Sequence, residues 1–479
     1  MTESSHKSTL PQPGSMLVPL IVACALFMEN LDGAVLGTAL PQIAHDMGVS
    51  PIHLSLAITS YLLSLAIFIP VSGWLADRFG ARTVLQGAIL VFTASSIACG
   101  FAGSVAELTL ARFFQGIGGA MMVPVGRLVM VRSVDKKELV RAMAYLTAPA
   151  LLGPVLGPPV GGFLATYATW RWIFFLNVPI GLIGLVLVHR YIANHKEPDA
   201  PPLDRNGFAM SAIGLALFML GCEMLGRDEV PLAVSTGMVV VGSIVLAVYV
   251  RHALHQQNPI LELRLFRIPT FAIAVGGGLA FRIGVGALPF LLPLMLQIGF
   301  GMSAFASGML TFTAAVGAMF MKFTARPILA RVGFRRVLVY NSVLCGAFFV
   351  VYGFFQPATP ALLITLLLLV GGFFRSLQFT ALNALTFADI EGQRMSRATS
   401  LSSTAQQLAL SMGVAVGAGL LHLTLALRSG AGDNPGPQDF WFAFAAIGTI
   451  SAASSLVFLR LKPDAGAEVA GRLPKPPPR

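Results

Sequence analysis

Apolar runs long enough to cross a bilayer recur along this 479-residue chain and leave little room for any other kind of fold. A membrane helix needs about 20 mostly apolar residues, because only bonding within the segment satisfies the backbone in hydrocarbon. Fourteen such runs are read, at 17–39, 52–72, 84–102, 106–127, 141–166, 172–192, 207–226, 232–252, 271–297, 304–322, 336–355, 360–385, 399–426 and 439–459. Hydrophobic residues make up 56% of the chain and charged ones 11%, against about 25% charged in soluble domains. The expected fold is an all-α integral membrane protein.

Basic residues test the count. An even number of spans puts both termini on one side, and alternate loops should then be rich in Lys and Arg. One set of loops holds Arg78 and Arg82, then Arg127, Arg132, Lys136, Lys137 and Arg141, then Arg190, Lys196 and Arg205. Further along, the same side holds Arg251, Arg264 and Arg267, Lys322 to Arg336, and Arg394 with Arg397. The opposite loops hold only Arg171, Arg227 and Arg428. Both termini are therefore read as cytoplasmic. The net charge of +11 sits in those inner loops, so it calls for anionic lipid and not for nucleic acid. The first run carries Glu29 and Asp32 and lacks a cleavage site, unlike a signal peptide. Cys24, Cys99, Cys222 and Cys345 lie singly in four spans, so no disulfide or metal framework is expected.

A charged turn at residues 73–82 (GWLADRFGAR) has an echo at 326–335 (RPILARVGFR), each after the second span of a set of six. The repeat gives a 6 + 2 + 6 layout. Its parts are a cytoplasmic tail at 1–16 and a first six-helix bundle at 17–192. A linker with two inserted helices follows at 193–260, then a second six-helix bundle at 261–462 and a disordered tail at 463–479. Related halves of this kind are the mark of secondary transporters.

Ionisable groups inside spans are costly, at least about 2.5 kcal/mol each at the bilayer centre, and so point to function. Asp32 and Arg112 fall at one depth, roughly 10 Å below the outer surface by helical rise. They are expected to pair. The guanidinium favours the charged carboxylate while burial disfavours it, so such an acid is able to exchange protons during a transport cycle. A plain structural ion pair is the other reading. Glu29 lies one turn inward on the same face. Glu223 and His422 read as interfacial. Arg282 and Arg375 sit near mid-membrane in the second bundle, with no acid at that depth in the same six spans. Either they bond carbonyl groups or they line a cavity that attracts negative charge. Gln297, Gln378, Asn383, Gln406 and Gln407 are candidate hydrogen-bonding groups there.

Several motifs together resemble the fourteen-span drug:proton antiporter branch (EmrB/QacA-type) of the major facilitator superfamily. They are the charged turn, Leu108-x-x-x-Arg112-x-x-Gln115-Gly116-x-Gly118, Gly153-x-x-x-Gly157-Pro158-x-x-Gly161-Gly162, and Leu31-Asp32 followed by Ala39-Leu40-Pro41. Trp170-Arg171-Trp172 with Asn177-x-Pro179-x-Gly181 is a further marker of the branch, and the runs around Pro124, Pro289 and Gln297 are similar to MdtD-type multidrug transporters. The resemblance implies a major facilitator fold in the bacterial inner membrane and proton-coupled export of amphiphilic drugs by alternating access.

Within that resemblance, Asp32, Arg112 and Glu29 couple protons, and Gln115 joins the cavity candidates. Gly73, Asp77, Arg78, Gly80 and Arg82 form an inner latch in which Asp77 faces the start of the thirteenth span. Ala330 stands at the matching place in the second copy. Gly153, Gly157, Pro158, Gly161 and Gly162 form a hinge. Asp77 as a cap of its own turn, and the glycine run as a passive packing seam, remain open readings. The alternative function is export of a small organic anion or its metal chelate, and a more remote one is a transporter-like sensor. No nucleotide-binding loop or hydrolase motif is present, so neither ATP use nor an enzyme is expected. The implied partners are a small-molecule substrate, protons and membrane lipids, with no cofactor and no nucleic acid.

Overall fold

The structure, a computed structural model, describes residues 17–133, 139–194, 202–224, 230–390, 394–428 and 435–467. Both expected tails lie largely outside these residues, as do the centre of the linker and the side chain of Glu223. The helices run α1 Leu17–Met47, α2 Ser55–Phe79, α3 Ala81–Phe101, α4 Val105–Ser133, α5 Leu139–Tyr167, the short α6 Trp172–Phe175, and α7 Asn177–Tyr191. They continue as α8 Arg205–Met224, α9 Leu232–His255, α10 Pro269–Leu294, α11 Ala304–Val332, α12 Phe334–Gly353, α13 Ala361–Thr386, α14 Met395–Leu427 and α15 Pro437–Phe458. Among the described residues there is no strand, and thirteen helical segments are long and apolar enough to cross a membrane. The 29-residue α5 is a further long helix, in part of which the side chains lie outside the described residues.

Helices outrun the apolar stretches that identify them. The first run was expected to end at 39, yet α1 continues to Met47, and α11 continues past 322 to Val332. Hydropathy marks only the part that must sit in hydrocarbon, whereas backbone hydrogen bonding carries the helix on into the interface. The charged turn is therefore mostly the last turns of α2, and the chain reverses at Gly80 alone. Gly80 has φ +92° and donates its N–H to the Ala76 carbonyl. In the echo, Gly333 has φ +88° and donates to the Leu329 carbonyl. Only glycine adopts such angles without strain, so the two corners share one backbone solution.

Helices α1 to α7 pack among themselves, and α10 to α15 do likewise. Helices α8 and α9 pair with each other, and α8 also touches α2 and α14. The two sets meet along α5 against α11 and α2 against α14, with α1 touching α10. At the end where α1 finishes, one apolar core runs through both sets, joining Leu31, Val35 and Leu40 to Leu288, Leu291, Leu421 and Phe440. Toward the opposite end each set has its own core. Val22, Leu65 and Met122 belong to the first set's, and Phe281, Leu338 and Leu382 to the second's. The sets are thus fused at one end. Residues 463–467, read from sequence as tail, form a turn in which Ala465 packs on the second core.

Candidate functional site

The centre of the first set is a closed polar cluster. Arg112 Nη1 on α4 donates to Asp32 Oδ2 on α1 at 2.5 Å, with both side chains at most 1% exposed. Asp32 Oδ1 accepts from Gln115 Nε2 at 2.9 Å and from Asn177 Nδ2 on α7 at 3.0 Å. Gln115 Oε1 accepts from Arg112 Nη1 at 2.7 Å. Ser96 Oγ on α3 accepts from both amides, at 2.7 Å from Gln115 and 3.2 Å from Asn177. Helical spacing explains the local part: Arg112 and Gln115 are three residues apart, so they share one face of α4. The Tyr61 ring on α2 lies 4.2 Å from the Arg112 guanidinium carbon, adding a cation–π contact.

Such a pair is stable only because its geometry is nearly complete. Burying two charges costs several kcal/mol per ion, and their attraction repays this when the remaining polar atoms also find partners. Here both carboxylate oxygens are bonded, and five helices contribute to holding the pair. A proton placed on Asp32 would remove an acceptor from this set and force it to rearrange.

Glu29, one turn earlier on α1, is half-buried and flanks Gly119 together with the Tyr61 hydroxyl. It is therefore separated from the closed cluster but adjacent to it through the Tyr61 ring.

Gly153, Gly157 and Gly161 all face α1. A Cβ on them would strike the Asn30–Leu31 backbone, Ala34, and the Val35 carbonyl with Thr38, respectively. Gly162 turns instead to α11, against Ala304 and Phe305, and the Pro158 carbonyl lies against Gly308. The glycine run thus clasps the helix that carries Asp32 and, at its far end, the second set. Phe305 N–H donates to Thr166 Oγ1 at 3.0 Å across the same seam.

In the charged corner, Asp77 is half-buried in the last turn of α2, Arg78 is exposed and Arg82 is half-buried. Gly73 has open space around it. Asn194, just after α7, braces the corner by bonding the Thr83 hydroxyl at 3.0 Å and packing on Gly80.

Three glutamines expected on a cavity wall have other places. Gln115 is inside the Asp32 cluster. Gln297 donates to the Thr38 carbonyl at 2.8 Å across the α1–α10 contact, from a π-helical turn, Met295–Gly299, that continues α10. Gln378 is fully buried and bonds the Leu338 carbonyl and Asn341 within the second set. Gln406 and Gln407 are half-buried on α14. Arg282 is fully buried and, among the described residues, reaches only exposed Asn383, at 3.4 Å, leaving Nε and Nη1 without a partner there. Arg375 is not brought to it. It is half-buried within electrostatic reach of Tyr352 and Cys345. One turn from Asn383 on α13, Thr380 accepts from Lys322 Nζ at 3.1 Å.

Sequence reasoning missed Ser96, Tyr61 and Asn177 as parts of the site. Asn177 was visible only as a motif marker.

A long-helix fold with fused halves and a buried ion pair at its centre is that of a membrane transporter. The sequence profile of the Major Facilitator Superfamily matches residues 22–414, and the chain belongs to that family. It is 37% identical over 453 residues to the "Putative multidrug resistance protein MdtD" of Escherichia coli O6:H1 (strain CFT073), covering 94% of this chain and 95% of that protein. The namesake of E. coli O17:K52:H18 (strain UMN026) is 38% identical over the same shares. Among solved structures, the D-xylose-proton symporter superposes with a TM-score of 0.68 at 15% identity, covering 94% of this chain and 98% of the symporter. A point mutant of the nucleoside transporter NupG superposes with a TM-score of 0.64 at 10% identity, covering 92% of this chain and 99% of that one. These two likenesses establish fold alone. The chain is a multi-pass protein of the bacterial inner membrane.

Proposed function

We propose that the chain is a proton-coupled antiporter that exports amphiphilic drugs or other small molecules by alternating access between two six-helix bundles. The layout is 6 + 2 + 6, with bundles at 17–192 and 261–462, and both termini are cytoplasmic. The skew of Lys and Arg between alternate loops supports that orientation. In it, the core shared by both bundles closes the outer side, and the separate cores lie toward the cytoplasm. The arrangement then corresponds to an inward-facing state.

The observation that carries the reading is the Asp32–Arg112 pair with its amide donors. Asp32 takes a proton from outside in the outward-facing state, and the neutral carboxyl no longer holds Arg112. Inward-facing closure follows. The proton leaves toward the cytoplasm past Glu29, the ion pair re-forms, and substrate loads. Asp77, Arg78 and Arg82, with Gly73 and Gly80, form the inner latch. Replacing Asp32 by Asn should abolish substrate-dependent proton flux in proteoliposomes while leaving the protein inserted. Retained proton-coupled uphill transport in that variant would sink the assignment. The multidrug names of the relatives support the substrate class.

Arg282 favours a second reading, export of a small organic anion or its chelate. A buried guanidinium with two unpaired nitrogens is costly unless an acceptor visits it. Asn383, which Arg282 reaches, lies on α13 one turn from Thr380, the acceptor for Lys322 of α11. Under this reading Arg282→Gln weakens binding of a carboxylate substrate at least about tenfold. Unchanged affinity would leave Arg282 a structural group.

A further inference from the structure

A groove of about 600 Å³ lies between the first turns of α3 and the last turns of α7, lined by Gln86, Leu185, Val186, His189 and Arg190. Gln86 Nε2 and His189 Nδ1 hydrogen-bond at 3.3 Å between its two walls. Arg190 is exposed and, among the described residues, has no carboxylate partner. Arg82 stands one turn before Gln86 and so shares that face of α3. Its buried Nε also lacks a partner among the described residues. Neither α3 nor α7 contains an acidic residue. Toward mid-membrane the same faces turn apolar. Leu90, one turn on from Gln86, is exposed, as are Val186 and Leu182, one and two turns before Arg190.

We propose that this groove binds an anionic phospholipid of the inner leaflet, its phosphate between Arg190 and Arg82 and its acyl chains along the exposed apolar faces. The leaflet rests on the orientation argued above, which makes this end cytoplasmic. Guanidinium groups match phosphate oxygens in a two-pronged geometry, and basic pockets between helices on the cytoplasmic side suit anionic headgroups. A soluble anion would use the arginines and leave the apolar faces idle. A zwitterionic lipid would use those faces but bring an ammonium group toward two guanidiniums. The two halves of the groove together select an amphiphile with net negative charge. Asn194, just past α7, already ties this helix end to the corner through Thr83 at 3.0 Å and Gly80. A phosphate shared by Arg82 and Arg190 would join the same two helix ends from the membrane side, so the lipid braces the corner.

Several other arginines at this end are engaged within the protein. Arg397 pairs with Glu262 at 2.9 Å, Arg335 donates to the Leu459 carbonyl at 3.1 Å, and Arg264 donates to the Leu254 carbonyl at 3.0 Å. Exposed Arg78 adds positive charge near the groove's mouth, and half-buried Asp77 is the described acid nearest to it along the chain. The stretch 195–201, which includes Lys196, Glu197 and Asp199, lies outside the described residues.

The test is a lipid titration of the purified full chain in non-ionic detergent, read by native mass spectrometry. Dioleoyl phosphatidylglycerol should bind at least about tenfold more tightly than dioleoyl phosphatidylcholine. Arg190→Gln should weaken the phosphatidylglycerol complex about fivefold, and Arg82→Gln with it should weaken it further. Val186→Trp, which fills the groove and keeps every charge, should weaken it too. Arg251→Gln removes an exposed charge at the same end of α9 and should leave binding unchanged. Free glycerol 3-phosphate, the same phosphate without chains, should not displace the lipid. Equal binding of the two lipids overturns the proposal, as does full binding by Arg190→Gln or by Val186→Trp. An equal loss in Arg251→Gln would mean diffuse attraction to the whole basic end and would also overturn it. Displacement by glycerol 3-phosphate would make this a site for a soluble anion. No step measures transport or sidedness, so proton-coupled export and the orientation stand or fall on their own assays.

Discussion

Asn177 and Gln115 donate to the same oxygen of Asp32, at 3.0 and 2.9 Å, although they come from α7 and α4. That convergence ties the carboxylate of α1 to two other helices through a single atom. Removing one donor leaves the others in place. Asn177→Ala should therefore cost about 1.5–3 kcal/mol, the range for a hydrogen bond to a charged group. Thermal denaturation in detergent checks it, and an unchanged melting temperature would mean that the amide is incidental.

The ion pair itself should behave non-additively. Arg112→Gln alone strands a buried carboxylate and should destabilise by about 3–5 kcal/mol. Combined with Asp32→Asn, much of that loss should be regained, because no uncompensated charge remains. Coupled transport should not return in the double variant. Equal destabilisation of single and double variants would contradict the partnership.

Two glycines in the same half should respond oppositely to a larger side chain. At Gly161 a Cβ would strike the Val35 carbonyl, so Gly161→Val should force α5 from α1 and cost about 1–3 kcal/mol. At Gly73 nothing lies within 4 Å, so Gly73→Ala should be neutral or stabilise the helix by up to about 1 kcal/mol. Yields and melting temperatures of the two variants provide the comparison.

The paired corners give a third contrast. Gly80→Ala and Gly333→Ala each force a side chain into a positive-φ conformation and should each cost about 1–3 kcal/mol. If Asp77 also serves as a latch, its replacement by Asn should slow transport without this stability loss. Ala330→Asp, at the matching place of the second copy, should not restore it. Melting curves and transport rates measured on the same preparations separate strain from gating.

The seam at α5 and α11 offers a direct trap. Thr166 and Phe305 are joined by a 3.0 Å hydrogen bond, so cysteines at both positions should cross-link under mild oxidation. Transport should stop when they do and resume on reduction. Continued transport by the cross-linked form would mean that this seam does not open.

The sequence made the Asp32–Arg112 pairing legible because two ionisable groups at one depth in hydrocarbon have strong reason to meet. The many membrane-spanning helices and the matching corners at Gly80 and Gly333 were legible for equally simple reasons, span length and a glycine at each turn. Asn177, Ser96 and Tyr61 were not. A neutral polar residue in a span costs too little to stand out, and nothing in its neighbours tells which way it faces. In a soluble helix the apolar stripe marks the inside. In a membrane helix lipid and core are equally apolar, so that stripe is erased. For this reason Gln115, Gln297 and Gln378 could not be assigned from sequence to cluster, seam and second-set core respectively.

The polar cluster also distributes stiffness unevenly. Helices α1, α4 and α7 are cross-braced at their centre by charge-assisted bonds, α3 joins them through neutral bonds to Ser96, and α2 is pressed against them through an aromatic ring. The bonds described at the middle of the second set are fewer, chiefly the neutral bond of Asn341 with Gln378 and one long bond from Arg282 to Asn383. Pulled apart mechanically, the molecule should yield first in its C-terminal half. In ordinary turnover the first half would then act as the anvil against which the second half bends.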